Sequence, residues 1–216
     1  MFTPLIIAVV VGYLLGSLPF GCLVARANEV NIFDVGSKSP GSTNVRRVLG
    51  NGAGNLVLAL DTAKGAVATL APYGWRLISG NGSGRFGPQE YGYFALASLV
   101  GAILGHSFSC FTKFRGGKGV ATGAGGFIVL FPPGALVALA VWSATVALTR
   151  YVSLASMLAA ASLPASAFFL HRSPLLIGVS AAIAAFVAIR HRANISRLLA
   201  GTESKLGQKK SDEPNS

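Results

Sequence analysis

The run VATGAGGFIVLFPPGALVALAVWSATVALT, from Val120 to Thr149, decides how often this chain crosses a bilayer. It is longer than the ~20 apolar residues that one upright transmembrane helix needs. Pro132, Pro133 and Gly134 stand near its middle. Two adjacent prolines remove backbone donors and crowd the preceding turn, so a helix rarely continues through them, and a tight hairpin is expected there. The run then counts as two spans. Its first half, Val120 to Phe131, is short for an upright crossing and has to tilt, borrow from the preceding loop, or re-enter the same face.

Five other apolar runs approach or exceed spanning length: Thr3 to Val24, Gly52 to Ala71, Tyr91 to Phe108, Tyr151 to Leu170 and Pro174 to Ile189. With the hairpin they give an all-α, polytopic transmembrane helix bundle of seven spans. Composition agrees: 52% of residues are hydrophobic and 12% charged, with a mean hydropathy of +0.59. Soluble domains carry about a quarter charged residues. The first run lacks a basic leader and a small-x-small cleavage site, so it is expected to remain as a span. Cys22 and Cys110 end apolar runs without CxxC spacing, which points to packing and away from zinc or a disulfide framework.

Basic residues fix the expected orientation. Arg26, Lys38, Arg46, Arg47, Lys113, Arg115, Lys118, Arg150, Arg190, Arg192, Arg197, Lys205, Lys209 and Lys210 fall on one face, and Arg76, Arg85 and Arg172 on the other. The positive-inside rule makes the rich face cytoplasmic, with the N-terminus outside and the C-terminus in the cytoplasm. Four crossings then separate Lys118 from His191, so both face the cytoplasm; a continuous Val120 to Thr149 helix would set them on opposite faces. One membrane domain over residues 1–200 and a polar cytoplasmic tail over 201–216, disordered from about Leu206 onward, complete the expected organisation.

Three cytoplasmic stretches carry phosphate-binding residue types. DVGSKSPGSTNVRR, Asp34 to Arg47, offers backbone N–H groups at Gly36 and Gly41, donors on Ser37, Ser42, Thr43 and Asn44, and the planar cations of Arg46 and Arg47. An ordinary turn-rich loop with arginines facing lipid headgroups reads the same way. FRGGKG, Phe114 to Gly119, sets Lys118 among Gly116, Gly117 and Gly119 ahead of a helix N-terminus, where N–H groups and the dipole favour an anion. It is not GxxxxGK[ST], since Gly119 follows Lys118 and Thr112 stands five before Gly117, and with no evident Walker B carboxylate ATP hydrolysis is disfavoured. RHRANISRLLAGTESK, Arg190 to Lys205, places His191 and Asn194 on one helical face and adds Glu203, expected to pair with a nearby cation. Within the second span, Asp61 and Lys64 at i, i+3 form an expected internal ion pair that anchors the bundle, and His106 near Gly105 is given the same structural reading.

Together these motifs resemble the bacterial acyl-phosphate-dependent glycerol-3-phosphate acyltransferases, integral membrane enzymes. The resemblance rests on GSLPFG (Gly16 to Gly21), GSKSPGSTNVRR (Gly36 to Arg47), DTAKG (Asp61 to Gly65), GHSFSCFTKFRGGKGVAT (Gly105 to Thr122) and HRANISRLLAGTESK (His191 to Lys205), in family order along nearly the whole chain. Lys38-Ser39 stands where the family often has Gly-Asn, and Ser42 where Ala is common. The resemblance implies acyl transfer from acyl phosphate to the 1-hydroxyl of sn-glycerol 3-phosphate, giving lysophosphatidic acid and phosphate, the first committed acylation of bacterial phospholipid synthesis. It implies seven spans in the bacterial inner membrane, an active site on the cytoplasmic face, no cofactor and no metal. Contact with the acyl-phosphate-producing enzyme and with membrane lipid fits the same picture; nucleic acid does not.

The resemblance carries roles to Ser37, Thr43, Asn44 and Arg47, to Lys118 with Gly116, Gly117 and Gly119, and to His191 and Asn194 with Glu203 in support. On this reading Lys118, the glycine backbone and Ser37 hold one phosphate and stabilise its departing charge, while Arg47, His191 and Asn194 orient glycerol 3-phosphate. Thioester-dependent acyltransferases commonly carry HxxxxD. Here Phe111, Leu176 and Ser196 occupy the fifth position after His106, His171 and His191. The base is then His191 alone or a phosphate oxygen of the donor, the route the resemblance favours. An anion carrier would place its groups near the midplane, a lipid-binding scaffold leaves the Ser-Pro-Gly-Ser-Thr-Asn run unexplained, and a metal-dependent phosphotransferase needs more carboxylates than Glu29 and Asp34.

Overall fold

The computed structural model describes residues 2–78 and 86–208. Among them every regular element is helical: α1 (Phe2–Ser17), α2 (Phe20–Ala27), α3 (Ser42–Leu49), α4 (Asn51–Ile78), α5 (Pro88–Ser107), a 3₁₀ turn (Cys110–Thr112), α6 (Val120–Leu130), α7 (Pro132–Thr149), α8 (Val152–Phe169), α9 (Pro174–Arg190) and α10 (Arg192–Leu199). Arg85, Lys209 and Lys210 of the charge count, and the part of the expected disordered tail beyond residue 208, lie outside the described residues.

Each apolar run is helical, and four meet length and composition for crossing a membrane: Phe2–Ala27, Pro88–Thr112, Pro132–Thr149 and Val152–Phe169. A fifth is added if α9 and α10, bent by 61°, count together. The chain is a multi-pass membrane protein. α4 is long enough at 28 residues, but Asp61, Lys64 and Arg76 interrupt its apolar character. α6, at 11 residues, rises only about 16 Å at 1.5 Å per residue, roughly half the hydrocarbon thickness.

The helix break in the decisive run is present, with a different arrangement from the expected turn. α6 ends at Leu130 and Phe131 leaves helical geometry at φ −146°, ψ 68°. Pro132 and Pro133 open α7, where a missing N–H costs nothing because the first helical N–H groups have no partner anyway. Gly134 is helical, its Cα so close to the Phe131 ring that a Cβ would sit 2.1 Å away. α4 also runs past its expected end, continuing through Pro72 to Ile78, as proline in membrane helices can when neighbouring groups satisfy the freed carbonyl.

By backbone contacts the chain divides into residues Met1–Ala135 and Leu136–Ser216. In the first unit α5 is the central helix, with two-thirds (67%) of its apolar window buried against 11% for α7. It meets α1 through two facing Gly-x-x-x-Gly pairs. A Cβ on Gly12 or Gly16 would lie 2.1 Å from the carbonyl oxygens of Ser98 or Ala102, and one on Gly101 or Gly105 would lie 2.3 Å or 2.1 Å from those of Val9 or Tyr13. Small residues let the backbones touch where no hydrophobic effect drives helices together. α4 and α6 pack the same way, Gly65 on the Thr122 carbonyl and Gly125 on that of Thr62. Towards the loops, Cys22, Ala25, Ile32, Val45 and Val57 form a small core under α2 and α3. Cys22 is packed as expected, whereas Cys110 is exposed in the 3₁₀ turn: its loop turns outward after Phe108.

In the second unit α8 packs on α9, and the buried residues of α8 include the small Ala155, Ala159 and Ala160. α9 stops at Arg190, His191 serves as the corner, and α10 turns away.

Candidate active-site clusters

In the first unit, the loop between α2 and α3 is folded around one amide. Asn44 is 2% exposed; its Oδ1 accepts the Ser37 N–H at 2.8 Å, and its Nδ2 donates to Val35 O at 3.1 Å and Ser39 O at 3.0 Å. Both amide hydrogens are engaged with the backbone, so Asn44 shapes the loop. Gly36 must be glycine: its φ is +60° and a Cβ would lie 2.2 Å from Asn44 Oδ1. What the loop presents outward is Ser37, Thr43 and Arg47, all exposed. Arg46 donates to Asn55 Oδ1 on α4.

The second cluster of this unit joins the α1–α2 break, α4 and the glycine-rich loop. Pro19 interrupts the helix and leaves carbonyls for other donors: Ser109 Oγ donates to Ser17 O at 2.6 Å, and Lys64 Nζ donates to Leu18 O at 2.9 Å. Lys64 also pairs with Asp61 Oδ1 at 2.8 Å, both side chains nearly sealed from solvent. His106 Nδ1 lies 3.6 Å from the same Asp61 oxygen. Its backbone carbonyl accepts the Gly117 N–H at 3.1 Å. A pocket with about 250 Å³ of atom-free space, part of it open to solvent, is walled by Asp61, Lys64, His106, Arg115, Gly116 and Gly117.

The glycines of FRGGKG therefore serve contact as well as flexibility. A Cβ on Gly116 would lie 2.2 Å from His106 O, and one on Gly117 2.2 Å from His106 Nε2. Gly119, at φ +81°, caps α6, the helix expected after the loop. Lys118 is half-buried beside them. The Arg115 guanidinium stacks 4.3 Å over the Phe33 ring, tying this loop to the stretch leading into the first one.

In the second unit Glu203 is the hub. Its Oε1 accepts from Ser153 Oγ at 2.7 Å and Asn194 Nδ2 at 2.6 Å; its Oε2 accepts from Arg197 Nε at 2.7 Å. Burial pushes the Glu203 carboxyl up, but these hydrogen bonds and the Arg197 charge outweigh it and hold the carboxyl below the ordinary carboxylate range. The expected cation is thus Arg197, with Ser153 and Asn194 added. His191 is buried at the α9–α10 corner, its Nδ1 2.8 Å from Val187 O. A carbonyl only accepts, so Nδ1 carries the proton and Nε2 is the basic nitrogen of the neutral ring. The Asn194 N–H donates to His191 O at 2.8 Å, keeping the helical spacing read from sequence. Residues 202–206 of the expected tail are ordered against this unit: the Leu206 N–H donates to Arg150 O at 2.8 Å and the Thr202 N–H to Arg197 O at 2.8 Å.

The structure thus brings Ser37 to Asn44, His106 and the Asp61–Lys64 pair to Gly116 and Gly117, and Asn194 to Glu203. Sequence reading overlooked Ser153, Ser109 and the link from His106 to the loop. Two ionisable residues in one apolar region, His106 and Asp61, were the available signal for that link.

The model of one family, described as glycerol-3-phosphate acyltransferase, matches residues 6–201. The chain belongs to that family. Relatives named glycerol-3-phosphate acyltransferase include one from Fusobacterium nucleatum, 42% identical over 91% of this chain and 95% of its own length. Another, from Trichlorobacter lovleyi, is 44% identical over 89% and 93%. Among solved structures, the fold is similar to PlsY (YgiH), an integral membrane glycerol 3-phosphate acyltransferase, in its glycerol 3-phosphate form, with TM-score 0.83 and 34% identity over 94% of this chain and 96% of that one. The lysophosphatidic acid form of PlsY matches with TM-score 0.80. The matched residues include Ser37 through Asn194 and end before Glu203.

Proposed function

We propose that this protein transfers an acyl group from acyl phosphate to the 1-hydroxyl of sn-glycerol 3-phosphate, releasing 1-acylglycerol 3-phosphate and inorganic phosphate, without cofactor or metal. One observation carries the reading: the chain shares fold and 34% identity with an enzyme structure described in its glycerol 3-phosphate form. Exposed Ser37, Thr43 and Arg47, and a lysine set in glycine backbone, supply the donors that two phosphorylated substrates require. An apolar groove for the acyl tail is what membrane helices readily provide.

In the proposed reaction Lys118, the Gly116 to Gly119 backbone and Ser37 hold the donor phosphate. Arg47, His191 and Asn194 orient glycerol 3-phosphate, Asn44 and Glu203 fixing the segments that carry them. The glycerol 1-oxygen attacks the acyl carbonyl carbon, and collapse of the tetrahedral intermediate breaks the carbon–oxygen bond to phosphate. The departing phosphate takes the electron pair, and one of its oxygens receives the hydroxyl proton. An anhydride is already activated, so positioning and charge stabilisation supply most of the rate. Replacing His191 with Ala then weakens glycerol 3-phosphate binding while leaving the pH dependence of turnover unchanged; loss of the basic limb would assign the proton to His191.

The same reading places seven crossings in the bacterial inner membrane, with the N-terminus outside and the site and C-terminus in the cytoplasm. Residues 1–200 form the catalytic domain, residues 201–216 the cytoplasmic tail, and the enzyme that makes acyl phosphate is a docking partner. Offering purified protein acyl phosphate or an acyl thioester, each with glycerol 3-phosphate in EDTA, tests the donor. Equimolar lysophosphatidic acid and phosphate from acyl phosphate alone is the expected outcome. Turnover with the thioester alone would leave an acyltransferase with a different donor.

A further inference from the structure

The Asp61–Lys64 pair and His106 form a chain of contacts that ends on the glycine-rich loop. Lys64 is held by the Leu18 carbonyl at 2.9 Å and by Asp61 at 2.8 Å, Asp61 faces His106 Nδ1 at 3.6 Å, and His106 touches the loop twice. Its carbonyl accepts the Gly117 N–H, and its ring lies against Gly117 so closely that a Cβ there would sit 2.2 Å from Nε2. All three side chains are buried, His106 at 9% exposure, Lys64 at 6% and Asp61 at 2%. Three ionisable groups enclosed in an apolar helix bundle are costly to keep unless they do something apolar packing cannot. At 3.6 Å the Asp61 carboxylate is beyond hydrogen-bond distance of His106 Nδ1, which has no hydrogen-bond partner among the described residues, so it acts on the ring through its charge at close range, an influence that an apolar side chain at position 106 would not feel.

We infer that His106, oriented by the Asp61–Lys64 pair, is a positioning residue that sets where the Gly116–Gly117–Lys118 backbone stands and hence where the loop receives the phosphate of the acyl donor. This rests on the proposed function, in which that loop holds the donor. The ion pair does more than anchor the bundle: it places the ring that Gly117 lies on, while Gly116 lies on the backbone carbonyl of the same residue. Gly116 and Gly117 are required because the loop is pressed against that ring and its carbonyl. The Arg115–Phe33 contact at 4.3 Å holds the loop from its other side.

The test is steady-state kinetics with both substrates varied, on wild type, His106→Ala, Asp61→Asn, Gly117→Ala and the double variant His106→Ala/Gly117→Ala. Removing the ring or the charge that orients it is expected to raise KM for acyl phosphate roughly tenfold while leaving KM for glycerol 3-phosphate within about threefold. Gly117→Ala alone is expected to lose about a hundredfold in kcat/KM for the donor. In the double variant the new methyl has the vacated ring space, so activity should return to that of His106→Ala alone. A general loss of folding would lower the apparent kcat with both KM values unchanged and would not be rescued. Losses in the double variant that multiply, or equal effects on both substrates in the single variants, would overturn the inference. Asp61→Asn, which keeps the side-chain shape, decides the question if His106→Ala does not fold. Wild-type protein without acceptor-dependent turnover would overturn the functional reading and this inference with it; active wild type with unchanged donor KM in the variants overturns this inference alone.

Discussion

Glu203 shows how much a single side chain can organise. Its two oxygens gather Ser153 of α8 with Asn194 and Arg197 of α10. Because its carboxyl lies below the ordinary carboxylate range, folding is favoured by the ionised form. That contribution is complete above the unfolded carboxylate value and is lost as pH falls through the lower folded value. Glu203→Gln is expected to cost about 1–3 kcal/mol at neutral pH, since it removes the charge and leaves donors poorly met. Thermal unfolding followed against pH checks this: the gap between wild type and variant should narrow as the medium becomes more acidic than ordinary carboxylates. At this scale the sequence read Glu203 and the Asp61–Lys64 pair well, because a carboxylate among cations and an i, i+3 pair in an apolar helix have few other satisfactory arrangements. Asn44 was harder. An amide in a polar loop looks like a ligand donor until its hydrogens are seen on Val35 and Ser39 carbonyls.

Helices were legible where apolar length dominates and obscure where contact does. The runs from Tyr151 to Leu170 and Pro174 to Ile189 became α8 and α9 nearly as bounded, since hydropathy alone defines them. Pro132-Pro133 marked the break, which falls at Phe131 with the proline pair opening α7, because a proline pair suits a helix start as well as a turn. α1 and α5 carry Gly12, Gly16, Gly101 and Gly105 at four-residue spacing, a packing signal that hydropathy ignores. These glycines set how closely the two helices approach, and α5 in turn carries His106 at its end. Gly101→Leu puts bulk where a Cβ would already lie 2.3 Å from Val9 O. It is expected to destabilise the protein by about 1–3 kcal/mol, read as a lowered thermal midpoint in detergent, whereas Gly178→Leu, whose Cβ would meet nothing within 4 Å, should leave the midpoint near wild type.

For the whole molecule, the proposed topology sets the basic loops in the cytoplasm and counts the short helix α6 as a crossing. In that topology the glycine-rich loop and His191 face one compartment only if α6 and α7 between them account for two crossings. Cysteines introduced one at a time at Ser39, Lys113, Arg172 and Lys205, in a background with the exposed Cys110 replaced by Ser and the buried Cys22 checked as unreactive, test it in intact cells. Positions 39, 113 and 205 should react with an impermeant maleimide only after permeabilisation, and position 172 before it. Opposite behaviour at 113 and 205 would mean six crossings and two separated clusters. The chain's function stands most directly on acceptor-dependent phosphate release. Purified protein is given acyl phosphate in EDTA, with and without glycerol 3-phosphate, beside Lys118→Ala. Phosphate release that requires glycerol 3-phosphate, matches lysophosphatidic acid formed and falls by about a hundredfold or more in the variant is the predicted result. Folded wild-type protein that releases phosphate no faster with the acceptor than without it would contradict the account.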